Sequence, residues 1–131
     1  MRHLTTHLFR AYQVHPGLIA LYVSVSEDIK LGIDTAIPCG LIVNELVSNA
    51  FKHAFAGGRS GEVRVDLERS SGRQLILWVS DNGSGFPAEV DYRNTESLGL
   101  QLVTTLVDQL AGTIELDREG GTRFKITFME P

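Results

Sequence analysis

Four polar residues in the middle of this sequence could, on one helix face, hold a metal–triphosphate group. Glu45, Asn49, Lys52 and His53 fall at i, i+4, i+7 and i+8, a spacing that stacks side chains along one side of an α-helix. Ile42, Val43, Leu46, Val47, Ala50 and Ala54 fill the other side. Asn49 can offer a neutral oxygen to magnesium, which prefers hard oxygen ligands. Lys52 can offset phosphate charge, and Glu45 can accept a proton from an attacking nucleophile. An amphipathic helix with a solvated polar side has the same spacing. Against that plainer reading stand Asn44 and Asn49, each costing about half a kcal/mol relative to alanine inside a helix.

Three glycine-bearing segments follow. Asp81-Asn82-Gly83-Ser84-Gly85-Phe86 comes directly after the apolar run Leu75–Val79. A carboxylate at that strand end can accept a hydrogen bond from an exocyclic amine, which favours adenine over a base with a carbonyl there. Gly83 and Gly85 would let the backbone approach a flat base closely. The same residues also suit a tight turn. In Ser97-Leu98-Gly99-Leu100-Gln101-Leu102-Val103, a glycine at a loop-to-helix junction leaves N–H groups free for an anion, or simply starts a helix. Gly120-Gly121-Thr122-Arg123-Phe124 reads as a hairpin turn running into a strand.

Periodicity supplies the elements that must carry these groups. Leu4, Leu8 and Ala11 or Tyr12 predict a short helix over 2–13, stopped by His15-Pro16-Gly17. Ile19, Leu21, Val23 and Val25 alternate, which predicts a strand over 18–26. A long helix runs from Asp34 to about Ala54, with Pro38 placed in its first turn. Strands are expected over 62–69 and 73–80, then a long polar loop over 81–97. A helix from about Leu98 to Ala111 ends at Gly112, and strands 113–118 and 122–128 close the chain. The fold class is α+β: a two-layer α/β sandwich, with helices on one face of a mostly antiparallel mixed sheet.

The 131 residues suit one domain, and 43% apolar with 21% charged residues is ordinary for a soluble globular protein. A formal charge of −4 argues against a nucleic-acid surface. It does not argue against a nucleotide, whose phosphates a magnesium ion and a few local donors can hold. Cys39 is the single cysteine, which excludes an intrachain disulfide and a cysteine-based zinc site and fits a reducing compartment. No apolar run approaches the roughly 20 residues of a membrane helix, and Met-Arg-His-Leu-Thr-Thr-His has no signal-peptide core behind it. The expectation is a soluble, cytoplasmic chain without membrane contact.

In this order the four segments resemble the nucleotide-binding boxes of the GHKL ATPase superfamily, which includes sensor histidine kinases, type II topoisomerases, the Hsp90 chaperones and mismatch-repair proteins. Asn44-Glu45-Leu46-Val47-Ser48-Asn49-Ala50-Phe51-Lys52-His53-Ala54 is similar to the N box. Asp81–Phe86 and Ser97–Val103 resemble the two glycine boxes, and Gly121-Thr122 the closing pair. The likeness runs from about 34 to 128. Its wording, with Leu98-Gly99-Leu100-Gln101-Leu102-Val103, resembles sensor histidine kinases, in particular the subfamily whose dimerisation region is of the second histidine-kinase type.

The resemblance implies ATP and Mg2+ as ligands, with Asn49 on magnesium and Asp81 on the adenine amine. It implies Lys52 or His53 beside the phosphates, Gly83 and Gly85 lining the base and hinging a short lid at 86–97, and Gly99 and Leu100 as backbone donors to phosphate. Thr122 would help hold the adenine edge, and Glu45 would act as base or orienting residue. The activity implied is transfer of the ATP γ-phosphoryl group to a histidine, with a response regulator downstream. Two departures qualify the match. Glu96-Ser97-Leu98 precedes Gly99 where many members have more glycine, and no phosphoacceptor box is present, since the neighbours of His3 and His7 do not fit one. Residues 1–14 are therefore expected to be a residual helix from an upstream dimerisation and phosphoacceptor region, and 15–131 the ATP-binding domain. The alternatives are a protein-serine kinase of the anti-sigma type and a nucleotide-binding interaction module without transfer activity.

Overall fold

The computed structural model describes residues 5–13, 18–51, 61–83 and 98–130. Among these described residues, six strands and two helices follow in order as β1 (Thr5–Gln13), β2 (Leu18–Ser26), α1 (Ile33–Asn49), β3 (Gly61–Ser71), β4 (Gln74–Asp81), α2 (Leu98–Gln109), β5 (Thr113–Asp117) and β6 (Thr122–Met129). The strands form one sheet in the order β1-β2-β3-β4-β6-β5. Among the described strands, only β2 and β3 run parallel, as a crossover carrying α1 requires. All other neighbours are antiparallel, so the mixed α+β sheet matches the sequence reading.

Alternation decides which face the helices cover. Val65, Leu67, Leu75, Leu77, Val79, Phe124, Ile126 and Phe128 point to one side and are buried. Ile42 and Leu46 of α1 and Val103, Leu106 and Val107 of α2 complete that core. The opposite face is a polar and aromatic layer. There Arg123 lies 4.1 Å from the Trp78 ring centroid, Trp78 Nε1 donates to Glu68 at 2.9 Å, and Arg64 covers Tyr22. One end of the β3–β4 pair is clamped by Arg69. It donates to both Glu130 oxygens at 2.9 and 3.1 Å, to Asp28 at 3.0 Å and to the Gly72 carbonyl at 2.8 Å.

Four sequence expectations change. Residues 5–13 form strand β1 rather than a helix. Thr5, Thr6, Phe9 and Tyr12 suit a strand, and pairing with β2 satisfies what would otherwise be that strand's open edge. Pro38 is the sixth residue of α1, not a first-turn residue, so the Asp34 carbonyl lacks its usual helical donor. The α-helical part of α1 stops at Asn49 and passes into a π-turn at Ala50–Phe51, while Ala54 lies outside the described residues. At the end of α2 the left-handed position is taken by Ala111 (φ 54°), not by Gly112. The Ala111 and Gly112 N–H groups bond Asp108 and Val107 carbonyls in a Schellman pattern. Gly112 is needed for a different reason: a Cβ there would sit 2.5 Å from the Thr127 carbonyl oxygen.

Candidate functional site

Asp81 ends β4 between two neighbours, Val63 of β3 and Thr122 of β6. All three side chains are on the helix-covered face, with Val63 and Thr122 buried. The Asp81 carboxylate is half-buried and accepts a hydrogen bond from Gly83 N–H at 2.9 Å. The Thr122 main-chain N–H donates to it as well. Burial raises the Asp81 carboxyl above its ordinary 3.8, and these two bonds only partly offset that rise. The result is an oriented, partly desolvated acceptor at the edge of a packed core.

Gly121 makes this arrangement possible. Its φ is +133°, and a Cβ on it would collide with the Asp81 carbonyl oxygen. Thr122 can therefore stand opposite Asp81 only because its neighbour has no side chain. On the other flank, Asn82 N–H donates to the Glu62 carbonyl at 3.3 Å, and Asn82 Oδ1 accepts from Glu62 N–H at 2.8 Å. The sequence reading missed this second use of Asn82, although its place directly after a strand was the available signal.

The end of α1 is carried to the same corner by packing. Ala50 and Val63 form a small buried cluster with Leu21, Val47 and Phe51 around them, and Val63 is the partner of Asp81 in the ladder. Asn49, immediately before Ala50, thus comes to the Asp81 end of the sheet. Its Nδ2 is buried and, among the described residues, is the one such side-chain atom without a hydrogen-bond partner. Glu45 lies one turn earlier and is half-exposed. Asn44 is exposed and borders a groove with Leu21, Val23 and Val43.

Gly99 and Leu100 occupy the first turn of α2, which packs against α1, with the Leu100 side chain in the core. Lys52, His53 and Gly85 lie outside the described residues, as does the expected lid at 86–97. Among the described residues no three His, Cys, Asp or Glu side chains converge as a metal site, and no helix is long and apolar enough to cross a membrane. The structure therefore joins Asp81, Gly83 and Thr122 by direct contact and brings Asn49 to them through Ala50 and Val63.

Residues 35–131 match the family described as histidine kinase-, DNA gyrase B-, and HSP90-like ATPase. Blue-light-activated histidine kinase 2 of Erythrobacter litoralis is 38% identical over 107 residues, which cover 81% of this chain and 31% of that protein. Sensor histidine kinase PdtaS of Mycobacterium tuberculosis is 40% identical over 96 residues, covering 70% and 19%. This chain thus spans a third or less of these relatives. Among solved structures, the histidine kinase domain of a blue-light-activated histidine kinase from Erythrobacter litoralis superposes with a TM-score of 0.79 at 33% identity, covering 86% of this chain and 52% of that one. With the glycine-framed carboxylate of Asp81, the asparagine-bearing helix and the one-sided mixed sheet all in place, the chain belongs to the histidine kinase-, DNA gyrase B-, and HSP90-like ATPase family.

Proposed function

We propose that this chain is the ATP-binding catalytic domain of a two-component sensor histidine kinase, supplying the γ-phosphoryl group of ATP to a histidine outside it. The observation that carries this reading is the Asp81 carboxylate, fixed by Gly83 and Thr122 N–H groups at a half-buried strand end. Such an acceptor takes the exocyclic amine of adenine, and the bare backbone at Gly83 leaves room for a flat ring. The kinase identity of the relatives supports the reaction class.

Asn49 is the proposed protein ligand for magnesium. Its carboxamide oxygen would take the ion, its buried and unpartnered Nδ2 would donate to a phosphate oxygen, and the remaining metal ligands would be phosphate oxygens and water, as this ion prefers. When bound, magnesium would neutralise charge on the phosphates. Lys52 and His53 follow on from α1 and would face the phosphates, and Gly99 and Leu100 N–H groups at the start of α2 would donate to them. Gly85 would help frame the base and hinge a lid over 86–97. Glu45 would orient the attacking imidazole or take its proton. Positioning and charge neutralisation carry most of phosphoryl transfer, so these roles suffice once an acceptor is presented. We assign 15–131 as the nucleotide-binding unit, its sheet extended by β1 (Thr5–Gln13), with an upstream dimerisation and phosphoacceptor region joined through 1–14. The response regulator would act downstream, and the setting would be cytoplasmic.

The test is calorimetric titration with ATP and GTP, with and without magnesium, on this chain and on Asp81→Asn. Saturable, adenine-selective binding that Asp81→Asn loses supports the site. Equal affinity for ATP and GTP, or no binding by the folded chain, overturns it. Incubation with ATP and a histidine-bearing dimerisation region should yield an acid-labile phosphoprotein, whereas an acid-stable product would indicate a serine kinase instead.

A further inference from the structure

Asn82 does with its side chain what a strand residue does with its main chain. The β3–β4 ladder runs down to the pair Val63 and Asp81. One step beyond, Asn82 N–H still donates to the Glu62 carbonyl at 3.3 Å. The reciprocal bond, from Glu62 N–H, is accepted by Asn82 Oδ1 at 2.8 Å. A carboxamide thus stands where a peptide carbonyl would otherwise be required. The start of β3 stays paired while the Asn82 backbone leaves the sheet, and the next N–H, from Gly83, turns back to Asp81 Oδ1 at 2.9 Å. Gly121 closes the other side, where a Cβ would stand 3.1 Å from Asn82 Cα.

We infer that Asn82 is a positioning residue that sets the preference for adenine over guanine, by pinning the Asp81–Gly83 turn to β3. This rests on the proposed reading of Asp81 as the acceptor for the adenine amine. A carboxylate held in one orientation rejects a base that presents a carbonyl there, because two acceptors are left facing each other. A carboxylate on a loose turn can swing aside or admit water, and the penalty shrinks. Asn82 is exposed, so its bond adds little to stability. Its effect should therefore appear in selectivity before it appears in folding.

ATP and GTP affinities are to be measured by calorimetry for the chain and for Asn82→Ala, Asn82→Gln and Asn82→Asp, with thermal unfolding of each. Asn82→Ala and Asn82→Gln, which remove or displace the acceptor, should lower the ATP-to-GTP affinity ratio about tenfold, with melting temperatures within a few degrees of the parent. Asn82→Asp keeps an oxygen at the same reach and should retain most of the ratio. An unchanged ratio in Asn82→Ala or Asn82→Gln, an equal loss for both nucleotides, or no rescue by Asn82→Asp would overturn the inference. Asp81→Asn separates the two readings. If it retains adenine preference, the account of Asp81 itself fails. If it abolishes preference while Asn82→Ala and Asn82→Gln do not, only the role of Asn82 falls.

Discussion

Gly121 rests directly on the main chain of Asp81, so the end of β4 and the start of β6 meet where no side chain could fit. Gly121→Ala combines a φ of +133° with a collision against the Asp81 carbonyl. It should cost about 1–3 kcal/mol in unfolding experiments. Adenine-nucleotide affinity should fall at least about tenfold, because the Thr122 N–H that holds the carboxylate must move. Gly120→Ala is the control. Its φ is +71° but its surroundings are open, so it should cost about 1–2 kcal/mol and leave nucleotide affinity unchanged.

Asp81 should trade stability for recognition. Burial, the larger influence, holds its carboxyl above 3.8, against the lowering by the Gly83 and Thr122 bonds. A raised folded value means that folding favours the protonated form. Its stabilising contribution is full below pH 3.8 and is lost as pH rises through the folded value. Asp81→Asn removes that loss. At pH 7 the variant should melt no lower than the parent, and its relative advantage should shrink toward pH 3, while adenine binding collapses. Thermal unfolding between pH 3 and 7 reads the first effect, and nucleotide titration the second.

Asn49 offers a second separation of folding from binding. Its buried Nδ2 has no partner, and an unsatisfied buried polar group costs about 1–3 kcal/mol. Asn49→Ala should leave the nucleotide-free chain as stable as before, or more so. The gain in ATP affinity on adding magnesium should disappear. Melting curves without ligand and titrations with and without the ion check both halves.

The Arg69 clamp makes the opposite prediction, for stability without recognition. It binds Glu130, Asp28 and the Gly72 carbonyl at the far end of the β3–β4 pair from Asp81. Arg69 holds the Glu130 carboxyl below its ordinary 4.5, so this contribution is present above pH 4.5 and fades as pH falls through the lowered folded value. Arg69→Leu should lower the melting temperature by a few degrees at pH 7. The difference should narrow in acid, and ATP affinity should stay unchanged.

Much of the architecture was legible because apolar alternation and helical spacing report burial directly. Val63, Val65 and Leu67, and likewise Leu75, Leu77 and Val79, placed β3 and β4 to within about two residues. Asp81 and Gly83 were nominated from their types and Thr122 from the family resemblance, and the three come together in space. Two kinds of feature were not legible. The first depends on a distant partner: β1 forms where Leu4, Leu8 and Tyr12 suggested a helix, because the β2 edge competes for the segment. The second depends on which atom does the bonding. No spacing rule distinguishes an Asn-Gly turn from an asparagine whose amide replaces a strand carbonyl, nor a glycine that ends a helix from one like Gly112, which clears room for β6.

The place of β6 has a consequence for how the protein is made. It follows β5 in sequence, yet it lies between β4 and β5, and among the described residues it is the one strand against which β5 pairs. During synthesis, β5 emerges with nothing to join, and β4 keeps a bare edge of the kind that recruits other chains. Both wait for residues after Gly121. Thr122 also supplies one wall beside Asp81, so a nascent chain should be blind to ATP until Thr122 has left the ribosome. Nucleotide binding would then report a finished sheet, and a chain stalled before β6 would present an unpaired strand to chaperones or proteases.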